Sequence, residues 1–414
     1  MRTTHRLLAG LAAAAVTAGA APAFAEPVRI DGFPDFDSHL DNQIPLFNEA
    51  HPETEVTYLM GNHGDHHKRL TTNLATGTGA GDLVIVDVGF IGSFINSGGF
   101  ENLSAEPYGA DAMKDGFVDY AWSQGQGADG NQYGIPVDIG PGVMYYRRDV
   151  LEGDGAAIED VIADWAAYIE YGRRLKEDDV YLIADAADVA AAIIRTTVEP
   201  GNGFFFDAEG NSLITSERFV TAFETAKTIR DEGLDAQIAA WTNEWYDAFK
   251  TGSVATQLSG AWLLGHLQNW MAPDTAGLWG VSNLPDGIYG SWGGAFLAIP
   301  KQAANKDGAW DVIEFLTRPE AQIASLRDIG AFPVLTETYG DAAFEEEIAF
   351  LDGQKARQLF AEVAENVSPV APQDGDLIAE DVVFAGALAE VLEDGKDVEA
   401  ALRDAERLVL RRMR

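Results

Sequence analysis

Leu83-Val84-Ile85-Val86-Asp87-Val88 decides the fold: five of its six residues are apolar. A strand with one wet face alternates apolar and polar residues. A nearly unbroken apolar run is the pattern of a strand covered on both faces, as strands of parallel sheets are. Working back from it, His66–Leu74 reads as a helix and Val56–Leu59 as a strand. Asp37–Ala50 carries Leu40, Ile44 and Phe47 at helical spacing, after a break at Gly32-Phe33-Pro34 and a first strand at Val28–Ile30. The order strand, helix, strand, helix, strand predicts α/β layers with a parallel sheet.

Working forward, Gly125-Gln-Gly-Ala-Asp-Gly130-Asn-Gln-Tyr-Gly134-Ile-Pro136 is turn-rich and leads to a strand near Val143–Tyr146. Helices are expected over Ile158–Leu175, Ala184–Val198 and Glu217–Glu232. A hairpin is expected where Phe204-Phe-Phe206 meets the turn Asp207-Ala-Glu-Gly-Asn211. Trp279–Leu284 and Ala295–Ile299 read as strands, and Ala303–Leu316 as a helix ended by Pro319. Val398–Met413 is amphipathic, and its terminal arginines suit the negative end of a helix dipole.

Composition narrows the partners. The 414 residues hold 66 Asp and Glu against 28 Lys and Arg, a formal net charge of −38, and no cysteine. Nucleic acid and anionic membrane surfaces need basic patches, so neither is an expected partner. Without cysteine there is no disulfide, thiolate metal site, cysteine nucleophile or lipid-modified cysteine. Residues 1–25 read as a secretory signal: Arg2 and Arg6, an apolar run from Leu7 to Ala21, and Ala23-x-Ala25 before the cut. Its loss takes away two arginines and no acid, leaving −40. A freely soluble, periplasmic protein is expected.

Motifs for chemistry are weak. Gly125-x-Gly127-x-x-Gly130 matches a dinucleotide fingerprint in letters only, because no strand precedes it and Tyr133-Gly-Ile-Pro136 replaces the following helix. A glycosidase needs two carboxylates at a set separation, and nothing singles out two among 66. In His63-Gly-Asp-His66-His67, metal binding competes with ordinary hydrogen bonding. Adjacent histidines on a helix diverge, which favours hydrogen bonding. No cofactor is expected.

Four blocks in order resemble one family, the extracellular solute-binding proteins of sugar ABC transporters, in the maltose-binding-protein-like group. They are Leu70-Thr-Thr-Asn-Leu-Ala-Thr-Gly77 with Gly81–Asp87; Asp129-Gly-Asn-Gln-Tyr-Gly-Ile-Pro136 with Met144-Tyr-Tyr-Arg-Arg-Asp149; Phe249-Lys-Thr-Gly-Ser-Val-Ala255 with Leu258-Ser-Gly-Ala-Trp262; and Trp292-Gly-Gly294 with Leu297-Ala-Ile-Pro300 and Ala309–Leu316. The resemblance implies an α/β fold of two hinged lobes, the periplasmic-binding-protein fold, with solute in the cleft between them. The first lobe would hold 26–137 and 291–340, and the second 138–290 and 341–414. It implies a non-enzymatic periplasmic receptor, expected to be a monomer. The receptor would bind a di- or oligosaccharide or a glycoside and deliver it to the transmembrane permease subunits.

Candidate ligand residues follow partly from chemistry and partly from the resemblance. A sugar offers an apolar C–H face and a rim of hydroxyls, which flat aromatics and a few polar groups answer. Trp292 precedes Gly293 and Gly294, where missing side chains admit a ligand to the backbone. Asp37 lies past the first strand, Asp87 near the end of a buried strand and Asp138 just after the Tyr-Gly-Ile-Pro motif, and α/β sheets open into their crevice at strand ends. A helix cap is the other reading of Asp87. Phe36 and Phe90 would add apolar walls, and His66 a hydrogen-bonding ring. The resemblance adds Trp262 at the family's Gly-x-Trp position, Trp245 upstream of the Phe249 block, with Trp241 beside it, and Phe332 in a loop at the cleft mouth. A receptor for glycerol phosphate, a polyamine or a metal, and a secreted glycoside hydrolase, remain as alternatives.

Overall fold

The computed structural model describes residues 27–34, 36–199, 201–370, 373 and 375–414. The expected signal segment lies outside them. Its first half is built from β1 (Val28–Gly32), α1 (Phe36–Ala50), β2 (Val56–Met60), α2 (His63–Thr76), β3 (Leu83–Asp87) and α3 (Val88–Asn96). β1 runs parallel to both β2 and β3. The apolar run of β3 is buried on both faces. Leu83 and Ile85 belong to one hydrophobic cluster, shared with α1 and the helix Lys306–Leu316, while Val84 and Val86 belong to another, shared with Leu70, Phe94 and Phe296.

The rest of the sheet comprises β4 (Ile135–Arg147), β5 (Tyr181–Ile183), β6 (Val254–Gly260), β7 (Trp279–Ser282) and β8 (Ser291–Ala298). The strands lie in the order β2-β1-β3-β8-β4-β6-β5, with β7 also paired to β4. β4 explains how two halves become one molecule. Residues 135–141 pair with β8, and residues 142–147 pair with β6 on one side and β7 on the other. Two register shifts, between Pro136 and Asp138 and between Ile139 and Pro141, bend the strand where it changes partners. Gly140 sits at that bend. A Cβ there would lie 1.6 Å from the Trp292 carbonyl oxygen, so no other residue fits. On β8, Gly293 and Gly294 have φ of +80° and +126°, conformations that glycine alone adopts cheaply. A separate hydrophobic core, with Tyr168, Phe219, Phe223, Leu258, Val383 and Leu402, lies in the second half, where Tyr145, Phe249, Val254 and Trp279 instead continue the cluster of Leu83 and Ile85.

Some elements differ from the sequence reading. The strand expected near Val143–Tyr146 begins at Ile135, because the turn-rich stretch ends earlier than its glycines suggest. Ile158–Leu175 is two helices, Ile158–Val161 and Trp165–Lys176. The second is started by Asp164, whose carboxylate accepts from the Ala167 N–H at 2.7 Å. The helix expected from Ala184 begins at Ala187. The hairpin after Phe204 forms only a single bridge, Phe206 to Ser212. Pro319 does not merely stop a helix; it is the first residue of the next, Pro319–Asp328, where its missing N–H costs nothing. Among the described residues no helix is long and apolar enough to cross a membrane.

Candidate functional site

A cavity of about 630 Å³ opens at the C-terminal end of β3. Its floor on the first half is the α3 N-terminus, with Asp87, Phe90 and Ser93. The facing wall carries Trp262, Trp292 and Gly293, and a third side carries Arg195, Phe204, Gln373, Asp376, Glu380 and Phe384.

Asp87 is both cap and cavity residue. As N-cap of α3, its Oδ1 accepts from the Gly89 N–H at 2.8 Å. Its Oδ2 faces His63 Nε2 at 3.5 Å. The positive end of the α3 dipole meets the cavity at the same place. The histidine cluster supports this corner. The Asp87 N–H donates to His67 Nε2 at 3.0 Å, so the His67 proton sits on Nδ1, which donates to the His63 carbonyl at 2.8 Å. Burial holds His67 down to about 4, so the ring is neutral at pH 7. It stacks on Phe90, ring centroids 4.1 Å apart. His66 donates from Nε2 to the Ile85 carbonyl at 2.9 Å, and burial lowers its pKa too. The diverging geometry expected of adjacent histidines is accommodated because both rings are buried, one under β3 and one against Phe90. Among the described residues no group of three or more His, Asp and Glu could hold a metal ion.

Asp138 lies behind this corner. Asp87 and Asp138 flank Ala295 from the two strands beside β8. The Asp138 Oδ1 is sealed from solvent without a hydrogen-bond partner. Burial pushes this carboxyl up to about 7, against the opposing hydrogen bond from the Ala295 N–H, and the charge of Asp87 adds to the rise.

On the opposite wall, Trp262 donates from Nε1 to the Trp292 carbonyl at 2.7 Å. Gly293 is tight against the same indole: a Cβ would sit 2.9 Å from Trp262 Nε1. The Trp262 ring is therefore fixed to the β8 backbone where that strand crosses between halves. Arg195 is the one cation among the described cavity residues. It donates from Nη2 to Glu380 Oε1 at 3.0 Å and lies over Phe204. With Asp87, Asp376 and Glu380 opposing it, the cavity is net acidic.

Of the sequence candidates, Asp87, Phe90, Trp262, Trp292 and Gly293 line this one cavity. Gly294 adjoins it, and Asp138 sits behind it. The others lie elsewhere. His66 is spent on the β3 backbone. Phe36, in the first turn of α1, is buried against Phe33, and Asp37 beside it is outside the lining. Trp245 is buried, donating to Gln257 Oε1 at 3.3 Å. Phe332 is fully buried among Tyr339, Phe344 and Phe360; only its carbonyl reaches the crossing strand, accepting from the Ile139 N–H at 3.1 Å. Sequence reasoning missed Arg195, Phe204 and the wall of Gln373, Asp376, Glu380 and Phe384. Three consecutive phenylalanines at 204–206 were the available signal.

Two α/β halves, joined by strands that cross between them around one cavity, define the two-lobed solute-binding class of fold. The chain belongs to the bacterial extracellular solute-binding protein family, whose model matches residues 44–351. It is 28% identical over 382 residues to the lactose-binding protein of Rhizobium radiobacter, covering 86% of this chain and 87% of that one. It is 23% identical to the arabinooligosaccharide-binding protein of Halalkalibacterium halodurans, covering 80% and 76%. A solved extracellular solute-binding protein of family 1 superposes with a TM-score of 0.81 at 25% identity, covering 94% of this chain and all of that one.

Proposed function

We propose that this chain is the periplasmic receptor of an ABC importer and binds an oligosaccharide, without chemistry, in the cavity between its lobes. The carrying observation is the wall chemistry. The flat rings of Phe90, Trp262 and Trp292 suit the C–H faces of a sugar, and Asp87 at a helix N-terminus suits its hydroxyls. The named specificities of the lactose- and arabinooligosaccharide-binding relatives support the same class. A phosphate-bearing solute would meet an acid excess around a single, already paired arginine. Against hydrolysis, Asp87 is committed to capping α3 and Glu380 to Arg195. The lobes would be 26–137 with 291–340 and 138–290 with 341–414, hinged where β4 and β8 cross. Solute would favour the closed form, the one in which both walls touch it, and that form would dock on the permease as a monomer after signal cleavage at Ala25.

The test is thermal denaturation of the mature protein against sugars, glycerol phosphate and spermidine. A ligand of the native state at a hundredfold its Kd adds about 2.7 kcal/mol. A rise in Tm with one sugar class is expected. No rise with any sugar, together with turnover of a glycoside, would replace this reading with the hydrolase.

A further inference from the structure

Arg218, the second residue of the helix Glu217–Asp231, points its charge at backbone carbonyls. It donates from Nη1 to the Ile194 carbonyl at 2.6 Å and from Nη2 to the Phe204 carbonyl at 2.6 Å. Both bonds are short, as charge-assisted hydrogen bonds are. The guanidinium also lies over the Phe219 ring, 5.1 Å from its centroid. The chain holds 66 acids, yet among the described residues none forms an ion pair with Arg218. Burial pulls its pKa down to about 10, so it keeps its charge at pH 7 in surroundings that disfavour it.

The two carbonyls show what this arrangement achieves. Ile194 lies in the last turn of the helix Ala187–Thr196, where carbonyls have no partner within the helix and a cation suits the dipole. One bond would be enough to cap that end. The second bond ties it to Phe204. The residue after Ile194 is Arg195, the cation of the cavity wall, and its guanidinium rests on the Phe204 ring at 5.8 Å. Phe205 turns the other way and packs on Phe219 and on the cavity residue Phe384, ring centroids 5.9 Å and 6.3 Å apart. Phe204 is thus held by its neighbour on one side and by the Arg218 fork on the other. A planar fork spans two acceptors at a fixed separation, which a lysine ammonium does not.

We infer that Arg218 is a positioning residue for the solute: by joining the Ile194 and Phe204 carbonyls it holds the Phe204 ring, and the Arg195 side chain resting on it, in the cavity wall. The inference rests on the sugar-binding reading above. Arg218 itself is not among the cavity residues, so its effect on the sugar passes through Phe204.

The experiment is titration calorimetry of lactose and of arabinotriose into the wild type, Arg218→Lys, Phe204→Ala and the double variant, with a melting curve for each. Lysine keeps the charge at the helix end and one of the two bonds, so Arg218→Lys is expected to fold; Arg218→Gln is the second variant if it does not. Phe204→Ala should weaken the bound sugar about tenfold, the size of one aromatic truncation in a binding site. The Arg218 variant should weaken it by up to the same factor. The double variant should bind no more weakly than Phe204→Ala alone, because residues acting through one another are not additive. A merely structural arginine would lower the melting temperature and leave affinity at the wild-type value. That result overturns the inference and leaves the sugar-binding reading standing. So do losses that add in the double variant, and so does a Phe204→Ala variant that binds as the wild type does. A wild type that binds neither sugar removes the sugar-binding reading and this inference with it.

Discussion

Two residues separate what a cavity residue does from what a core residue does. Phe332 resembled a cleft-mouth residue in sequence, yet its side chain has no exposure. Phe332→Ala should cost about 3–5 kcal/mol of stability, as large core truncations do, and leave sugar affinity near that of the wild type. Denaturant melts with calorimetry check both. Asp138 is the opposite case. An unfolded aspartate loses its proton near pH 3.9, but in the fold this one keeps it up to about 7. Between those values the native state holds a proton that the unfolded state has lost, so stability falls as pH rises from about 4 to 7 and then levels. Asp138→Asn, neutral throughout, should flatten that slope and be the more stable form at pH 8. A pH series of melting curves would show it, and parallel wild-type and variant profiles would refute it. Sequence nominates Asp138 from its place just after Tyr133-Gly-Ile-Pro136, and Phe332 only from the family resemblance. It could not say which side of the chain each faces, because that depends on where β4 bends.

At the scale of elements, the legible parts were those whose pattern is local. The doubly covered β3, the helical spacing of Leu40 and Phe47 in α1, and the closing helix Val398–Arg412 all appear as read. Less legible was β4, a 13-residue strand with three neighbours, whose character comes from partners more than a hundred residues away. The cavity wall of Asp376, Glu380 and Phe384 was invisible for the same reason: nothing in its own sequence says what it faces. The crossing of β4 over β8 gives this scale its prediction. Gly140→Ala would drive a methyl into the Trp292 carbonyl. It should destabilise the protein by more than about 4 kcal/mol, the range reserved for severe mechanisms, while Gly153→Ala, with open space around it, should cost under about 1 kcal/mol. Equal melting temperatures for the two would mean the crossing is looser than described.

At the scale of the whole molecule, charge and fold are separate matters. The cavity uses Asp87, Asp376 and Glu380; most of the 66 acids have no part in it. A net charge of −38 repels itself, and the Debye length shrinks from about 10 Å at 0.1 M salt to about 3 Å at 1 M. Melting temperature should therefore rise between those concentrations in sodium chloride; a flat or falling trend would show that the acids are already balanced by their local pairs. The central claim is that one sugar sits between two lobes, touching both. The most direct measurement is a crystal structure of the mature chain grown with the sugar that raises its melting temperature. Sugar density is expected against Asp87 and Phe90 on one side and Trp262 and Trp292 on the other. Sugar bound only on an outer surface, with this cavity empty, would contradict it.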